Sequence, residues 1–144
     1  MQKLDFTEAL DRIVSKDTRY ARDAYHFLRE ALDFTIKHRK KNKDHSAHVS
    51  GQQLLEGIRL FALREFGPMV PTVFAYWNIV SCEDFGQMVF NLISVQVFGK
   101  TETDSLEDFK GAYSFNEAFV APFLPEKVSE FHRLPLDEPA RELS

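Results

Sequence analysis

HVSGQQLLEGIRLFALREFGPM, residues 48 to 69, decides the fold class. Leu54, Leu55, Ile58, Phe61, Ala62 and Phe66 recur at helical spacing, and Ser50 stands three places before Gln53, the spacing of a capping box. The serine hydroxyl can accept the N–H of Gln53 while the glutamine reaches back to the serine N–H, so two orphan donors find partners. Gly57 lies inside this helix, where glycine costs about 1 kcal/mol relative to alanine and lets another helix approach closely. Gly67-Pro68 ends the pattern.

Toward the N-terminus, Phe6, Leu10, Ile13 and Val14 share one face of a short helix that should stop near Lys16. Asp17 or Thr18 is then expected to cap a long second helix. There Tyr20, Ala24, Phe27, Leu28, Ala31, Leu32 and Phe34 form an apolar band, opposite a wet face of Arg22, His26, Arg29, Glu30, Asp33 and Lys37. After Ile36, KHRKKNKDHSAHVS has no apolar residue until Ala47 and reads as a solvated loop. Loops of that length are more often functional or mobile than short ones.

Toward the C-terminus, Pro71 suits the first turn of a helix through Val73, Phe74, Tyr76 and Trp77, closed by Asn78. Ser81 and Asp84 repeat the capping-box spacing, with Glu83 and Asp84 where the helix dipole favours acids. The run FGQMVFNLISVQVF is apolar nearly all round, with Gln87, Asn91 and Ser94 as a thin polar stripe, and no Lys, Arg or His occurs from Glu65 to Gly99. Cys82 to Phe98 therefore reads as the central buried helix, with Phe90 in the core. TETDSLEDF and SFNEAF suggest two short capped helices, the second on Ser114 and Glu117.

Pro122, Pro125, Pro135 and Pro139 exclude a long terminal helix. The expectation is an all-α chain: one compact helical domain of five to seven helices over residues 1–121, with a central buried helix. A proline-containing tail over 122–144 follows, with a helical turn or two near Glu126 to Phe131.

Bulk properties narrow the function classes. At 144 residues and 44% hydrophobic content the chain can bury a core without staples. Cys82 is the single cysteine, which leaves no disulfide framework and no cysteine-based zinc site. MQKLDFTEAL lacks a signal-peptide pattern, and no apolar run approaches the roughly 18 residues of a membrane span, so a cytoplasmic protein without membrane contact is expected. Residues 1 to 64 hold 13 Lys and Arg against 9 Asp and Glu, whereas residues 65 to 144 hold 5 against 13. Such polarity suits a protein that meets a charged surface with one side, or copies packing basic face on acidic face.

HVSGQQLLEGIRLFALREFGPM, YWNIVSCEDFGQMVFNLI, KTETDSLEDF and YSFNEAF together resemble an uncharacterised bacterial Minf-type domain family. The likeness covers about half the chain closely, from His48 to Phe119, and the helix from Tyr20 to Leu32 more loosely. It implies a compact bacterial domain. It brings no activity, cofactor or catalytic residue with it.

YWNIVSCEDFGQMVFNLIS has a turn-then-helix look, but a DNA-reading helix needs cations against phosphate, and this one opens on two acids. Sequence-specific DNA reading is not expected. Lys37, Arg39, Lys40, Lys41 and Lys43 form a better polyanion contact, for RNA or a ribosomal surface, although no aromatic interleaves them for base stacking. His38, His45 and His48 sit among lysines that repel a cation, and no metal or other cofactor is expected. Cys82 reads as a small buried hydrophobe. Glu102, Asp104, Glu107 and Asp108 are the one segment suited to a divalent cation or acid–base work, without the ligand order of a calcium loop.

Phenylalanine resists a purely structural reading. Phe98, Phe109, Phe115, Phe119, Phe123 and Phe131 crowd the last third of the chain, where the helices are short. Some should lie over the main bundle, while Phe115, Phe119, Phe123 and Phe131 are expected to offer an apolar patch to a protein partner or a second copy. The sequence thus favours a non-enzymatic macromolecule-binding module. An RNA- or ribosome-associated factor and a small enzyme are the alternatives.

Overall fold

The computed structural model describes residues 5–41, 49–98 and 106–125, and every regular element among them is helical. Helix α1 (Phe6–Lys16) starts on a capping box: Asp5 accepts the Glu8 N–H at 2.8 Å and Glu8 accepts the Asp5 N–H at 3.4 Å. It buries Leu10 and Ile13.

The next helix, α2 (Arg22–Lys41), differs from expectation at both ends. Asp17 does not cap it. Its N–H closes α1 on the Ile13 carbonyl, and its carboxylate accepts from Arg19 Nε at 2.8 Å and Arg19 Nη2 at 2.6 Å. At the other end the helix runs on through Lys41, over the first five residues of the expected loop. Lysine and arginine are good helix formers, and cations in a last turn interact favourably with the dipole, so an apolar-free stretch continues a helix that is already nucleated. Thr35 and Arg39 are buried within it.

Helix α3 (Gly51–Phe66) has both halves of the expected capping box, with Gln53 N–H to Ser50 Oγ at 3.1 Å and Ser50 N–H to Gln53 Oε1 at 3.0 Å. Gly67 ends it at φ +52°, a conformation in which a side chain is strained. Thr35 packs on Gly57 while Phe27 packs on Phe61 and Phe66, so α2 and α3 run antiparallel.

A 3-10 turn, Gly67–Met69, leads into α4 (Val70–Tyr76), with Pro71 in its first turn as the sequence indicates. Asn78 follows at φ 67° and reverses the chain. Helix α5 (Cys82–Ser94) opens on Asp84, whose carboxylate accepts the Val80 N–H at 2.7 Å and the Ser81 N–H at 3.2 Å. It stops at Ser94 rather than Phe98, where Gln96 turns to φ 66°.

Burial of α5 is one-sided. Cys82, Phe85, Gly86, Met88 and Leu92 face inward, while Phe90 projects from the other side and is 50% exposed. Phe90 is therefore not a core residue. With its apolar residues so nearly continuous, the helix has no sequence contrast between its faces, and the neighbouring helices decide which side is covered. The cation-free stretch likewise includes exposed Met69, Tyr76 and Val80 alongside its buried members.

Phe27 of α2 sits at the centre, its ring within 5.4–5.7 Å of Phe61, Phe74 and Trp77 and 6.4 Å from Phe85. Ring pairs at these distances add about 0.5–1.5 kcal/mol each to simple area burial. The last third covers this core with a 3-10 turn (Leu106–Phe109), a π-helical turn (Asn116–Val120) and another 3-10 turn (Ala121–Phe123), in place of two short α-helices. Phe109 lies over two glycines: a Cβ at Gly51 or at Gly86 would come 2.9 Å from its side chain. Residues 126–144, including the expected turn near Glu126 to Phe131, lie outside the described residues.

Candidate functional site

The polyanion candidates divide once they are placed on α2. Lys37, Lys40 and Lys41 are exposed on its last turns, Arg39 is 8% exposed and engaged with neighbours, and Lys43 lies outside the described residues. Lys37 to Lys41 of the expected basic loop form a helix end, and Arg39 is turned inward by the helical spacing that leaves Lys37 and Lys41 on the solvent side.

The aromatic patch divides similarly. Phe119 is 1% exposed and Phe115 is half-buried. Their rings stack edge to face at 5.3 Å and close on Phe74 at 5.4 and 5.6 Å, so both belong to the interior. The π-helical turn carries Phe119 under the surface, an outcome that α-helical periodicity does not anticipate. Phe123 is 40% exposed, and Phe131 lies outside the described residues.

A concave surface does exist, along the seam between α2 and α3. One cavity of about 600 Å³ is lined from α2 by Glu30, Asp33, Phe34, Lys37, His38 and Lys41, and from α3 by Phe61, Arg64 and Glu65. A second, of about 290 Å³, shares Glu30, Phe61 and Glu65 with it and continues past Asp23 and His26 to Phe66 and Trp77. Together they form one open groove with an aromatic floor.

Packing holds that floor. Phe34 and Phe61 lie 5.4 Å apart, the Arg64 guanidinium sits 5.1 Å from the first ring and 5.3 Å from the second, and His38 stacks on Phe34 at 5.9 Å. Such cation–π contacts contribute roughly 0.5–1 kcal/mol at exposed sites and orient the guanidinium. Arg64 also pairs with Glu65 at 3.3 Å. By contrast, Glu30, Asp33, Lys37 and Lys41 make no ion pair among the described residues. Their charges are ordered along α2, acids first and cations last.

A polar network on the other side of the bundle was missed by sequence reasoning. Asn91 donates to Asp17 at 3.0 Å and to the Tyr25 hydroxyl at 3.1 Å; Arg19 Nη2 reaches Gln87 at 3.3 Å, and the Tyr20 hydroxyl donates to Asp84 at 2.5 Å. The signal was the thin polar stripe on α5, since Gln87 and Asn91 are its members. Arg19 and then Asn91 hold the Asp17 carboxyl well below the usual carboxylate range. Burial, helped by Asp84, keeps the Tyr20 hydroxyl protonated far above its ordinary range. The network fastens the α1–α2 connection to α5.

Chemistry elsewhere is sparse. Cys82 is buried, its thiol donates to the Tyr113 carbonyl at 3.5 Å, and burial pushes its pKa up, away from a reactive thiolate. Among the described residues no group of three or more His, Cys, Asp or Glu is placed to hold a metal ion. Glu102, Asp104 and the side chain of Glu107 lie outside the described residues, as do His45 and His48. Among the described residues no helix is long and apolar enough to cross a membrane.

The fold and this surface define a small all-α protein with an open, charge-ordered groove between two antiparallel helices. No known protein family, curated protein or solved structure matches the chain.

Proposed function

We propose that the protein is a non-enzymatic binding module that recognises another polypeptide through the α2–α3 groove. The observation that carries this reading is an aromatic floor beside Glu30, Asp33, Lys37 and Lys41, which make no ion pair among the described residues. Aromatic and arginine side chains are enriched in binding surfaces, and rim charges select the partner. Phosphate backbones fit less well, because Glu30, Asp33 and Glu65 stand among the same cations and would repel them. The groove is also too open to enclose most of a small molecule, as ligand pockets do. In this reading the protein works in a bacterial cytoplasm. Membership of the Minf-type family belongs to the same proposal and adds no activity to it.

Affinity capture from native lysate, with and without nuclease, compares the wild type with Lys37→Glu/Lys41→Glu. Proteins retained after nuclease by the wild type and lost by the variant support the reading. Capture that vanishes with nuclease would transfer the function to RNA.

A further inference from the structure

The groove wall has a property that a single partner satisfies without further assumption. Along α2, Glu30, Phe34, Lys37 and Lys41 follow one another at spacings of four, three and four residues, one straight stripe on the helix. The stripe is exposed or half-buried, and all four residues line the groove. Its order is acid, aromatic, cation, cation, and Asp33 lies beside it. Such a stripe is electrostatically complementary to itself when reversed.

We propose that the groove's occupant is a second copy of this chain, docked antiparallel across a two-fold axis that passes beside Phe34. This rests on the reading of the groove as a protein-binding surface. In that arrangement Glu30 of each copy meets Lys41 of the other, and Asp33 meets Lys37. A two-fold interface uses one patch twice, so it requires that kind of self-complementarity. Arg64, held over Phe34 and Phe61, comes in from α3 at the edge of the contact. The described residues offer no strand edge to which an extended peptide could add. A helix brings its own backbone hydrogen bonds and needs only a matching face. Helix α2 has 20 residues, about 30 Å of length at 1.5 Å per residue, enough to run along the groove of its partner.

Sedimentation equilibrium on the full chain tests this with two variants that reverse opposite charge blocks: Glu30→Lys/Asp33→Lys and Lys37→Glu/Lys41→Glu. The wild type is expected to dimerise, more weakly at high salt. Each variant alone should dimerise at least about tenfold less tightly, because like charges then face each other. An equimolar mixture of the two should recover the dimer, since every reversed charge meets a reversed partner. Recovery in the mixture also shows that both variants are folded.

A wild type that stays monomeric at low salt overturns the proposal. So does a dimer that ignores both variants, or a mixture that fails to recover. If the wild type is monomeric yet still captures a nuclease-resistant protein through Lys37 and Lys41, self-pairing falls and the binding reading stands. If neither dimerisation nor capture depends on these residues, both fall.

Discussion

The side chain of Thr35 occupies the space that a Cβ on Gly57 would need. Its hydroxyl donates to the Ala31 carbonyl at 2.7 Å, which satisfies a buried polar group within α2 and turns the residue toward α3. Gly57 is thus what lets the two groove helices approach this closely. Gly57→Ala gains about 1 kcal/mol of helix propensity but forces the pair apart, at a typical overpacking cost of about 1–3 kcal/mol. Net destabilisation is expected in urea melts, partly relieved by adding Thr35→Ala. A stabilised Gly57→Ala protein would mean the approach is looser than described.

Helix α5 gives a direct test of which side is inside. Phe85 is fully buried and Phe90 is half in solvent. Phe85→Ala should cost about 3–5 kcal/mol. Phe90→Ala should cost less than about 1, as surface substitutions usually do. Reversed costs in paired denaturant melts would place the helix the wrong way round.

Arg39 and Lys40 are neighbours with opposite fates. Lys40 is exposed, and its replacement by glutamine should shift stability by no more than about 0.5 kcal/mol. Arg39 buries its stem and engages other groups, so Arg39→Gln should lower the melting point clearly through lost packing and lost partners. Indistinguishable melting curves would show that Arg39 sits outside after all.

Acid should weaken the fold through Asp17. Its pKa is lowered in the folded state by Arg19, so its contribution is present above the unfolded carboxylate value of 3.8 and fades as pH falls below it. Arg19 is about half exposed at 52%, so solvent screening limits the contribution to the order of 1 kcal/mol. Asp17→Asn should be less stable at pH 7, and the gap to the wild type should narrow progressively as pH falls below 3.8 in stability-versus-pH curves. A constant difference across that range would remove Asp17 from the acid response.

Alkali acts through the tyrosines. Tyr20, Tyr25 and Tyr113 all have raised pKa values, from burial first in each case. Their contribution is full below the unfolded value of 10.0 and is lost as pH rises beyond it. Ultraviolet titration should find these three ionising together with unfolding. Stepwise ionisation in a protein that remains folded would contradict their burial.

Periodicity and end signals belong to single segments, and the sequence alone determined what depends on them. The α1 face, the Ser50–Gln53 box, the Gly67-Pro68 stop, the Pro71 start and the Asn78 turn need only local hydrogen bonds and φ preferences. Helix α2 outruns its expected end because charged residues continue a helix readily even where apolar ones stop. Which side of α5 is covered, and whether Phe119 lies inside, depended on α2, α3 and α4 arriving from distant parts of the chain. The groove is of the same kind. Its α2 charges were visible as a wet face and Gly57 as a point of close helix approach, but that Thr35 fills that point, and so sets the floor of Phe34 and Phe61 beneath Arg64, is decided only where two distant helices meet.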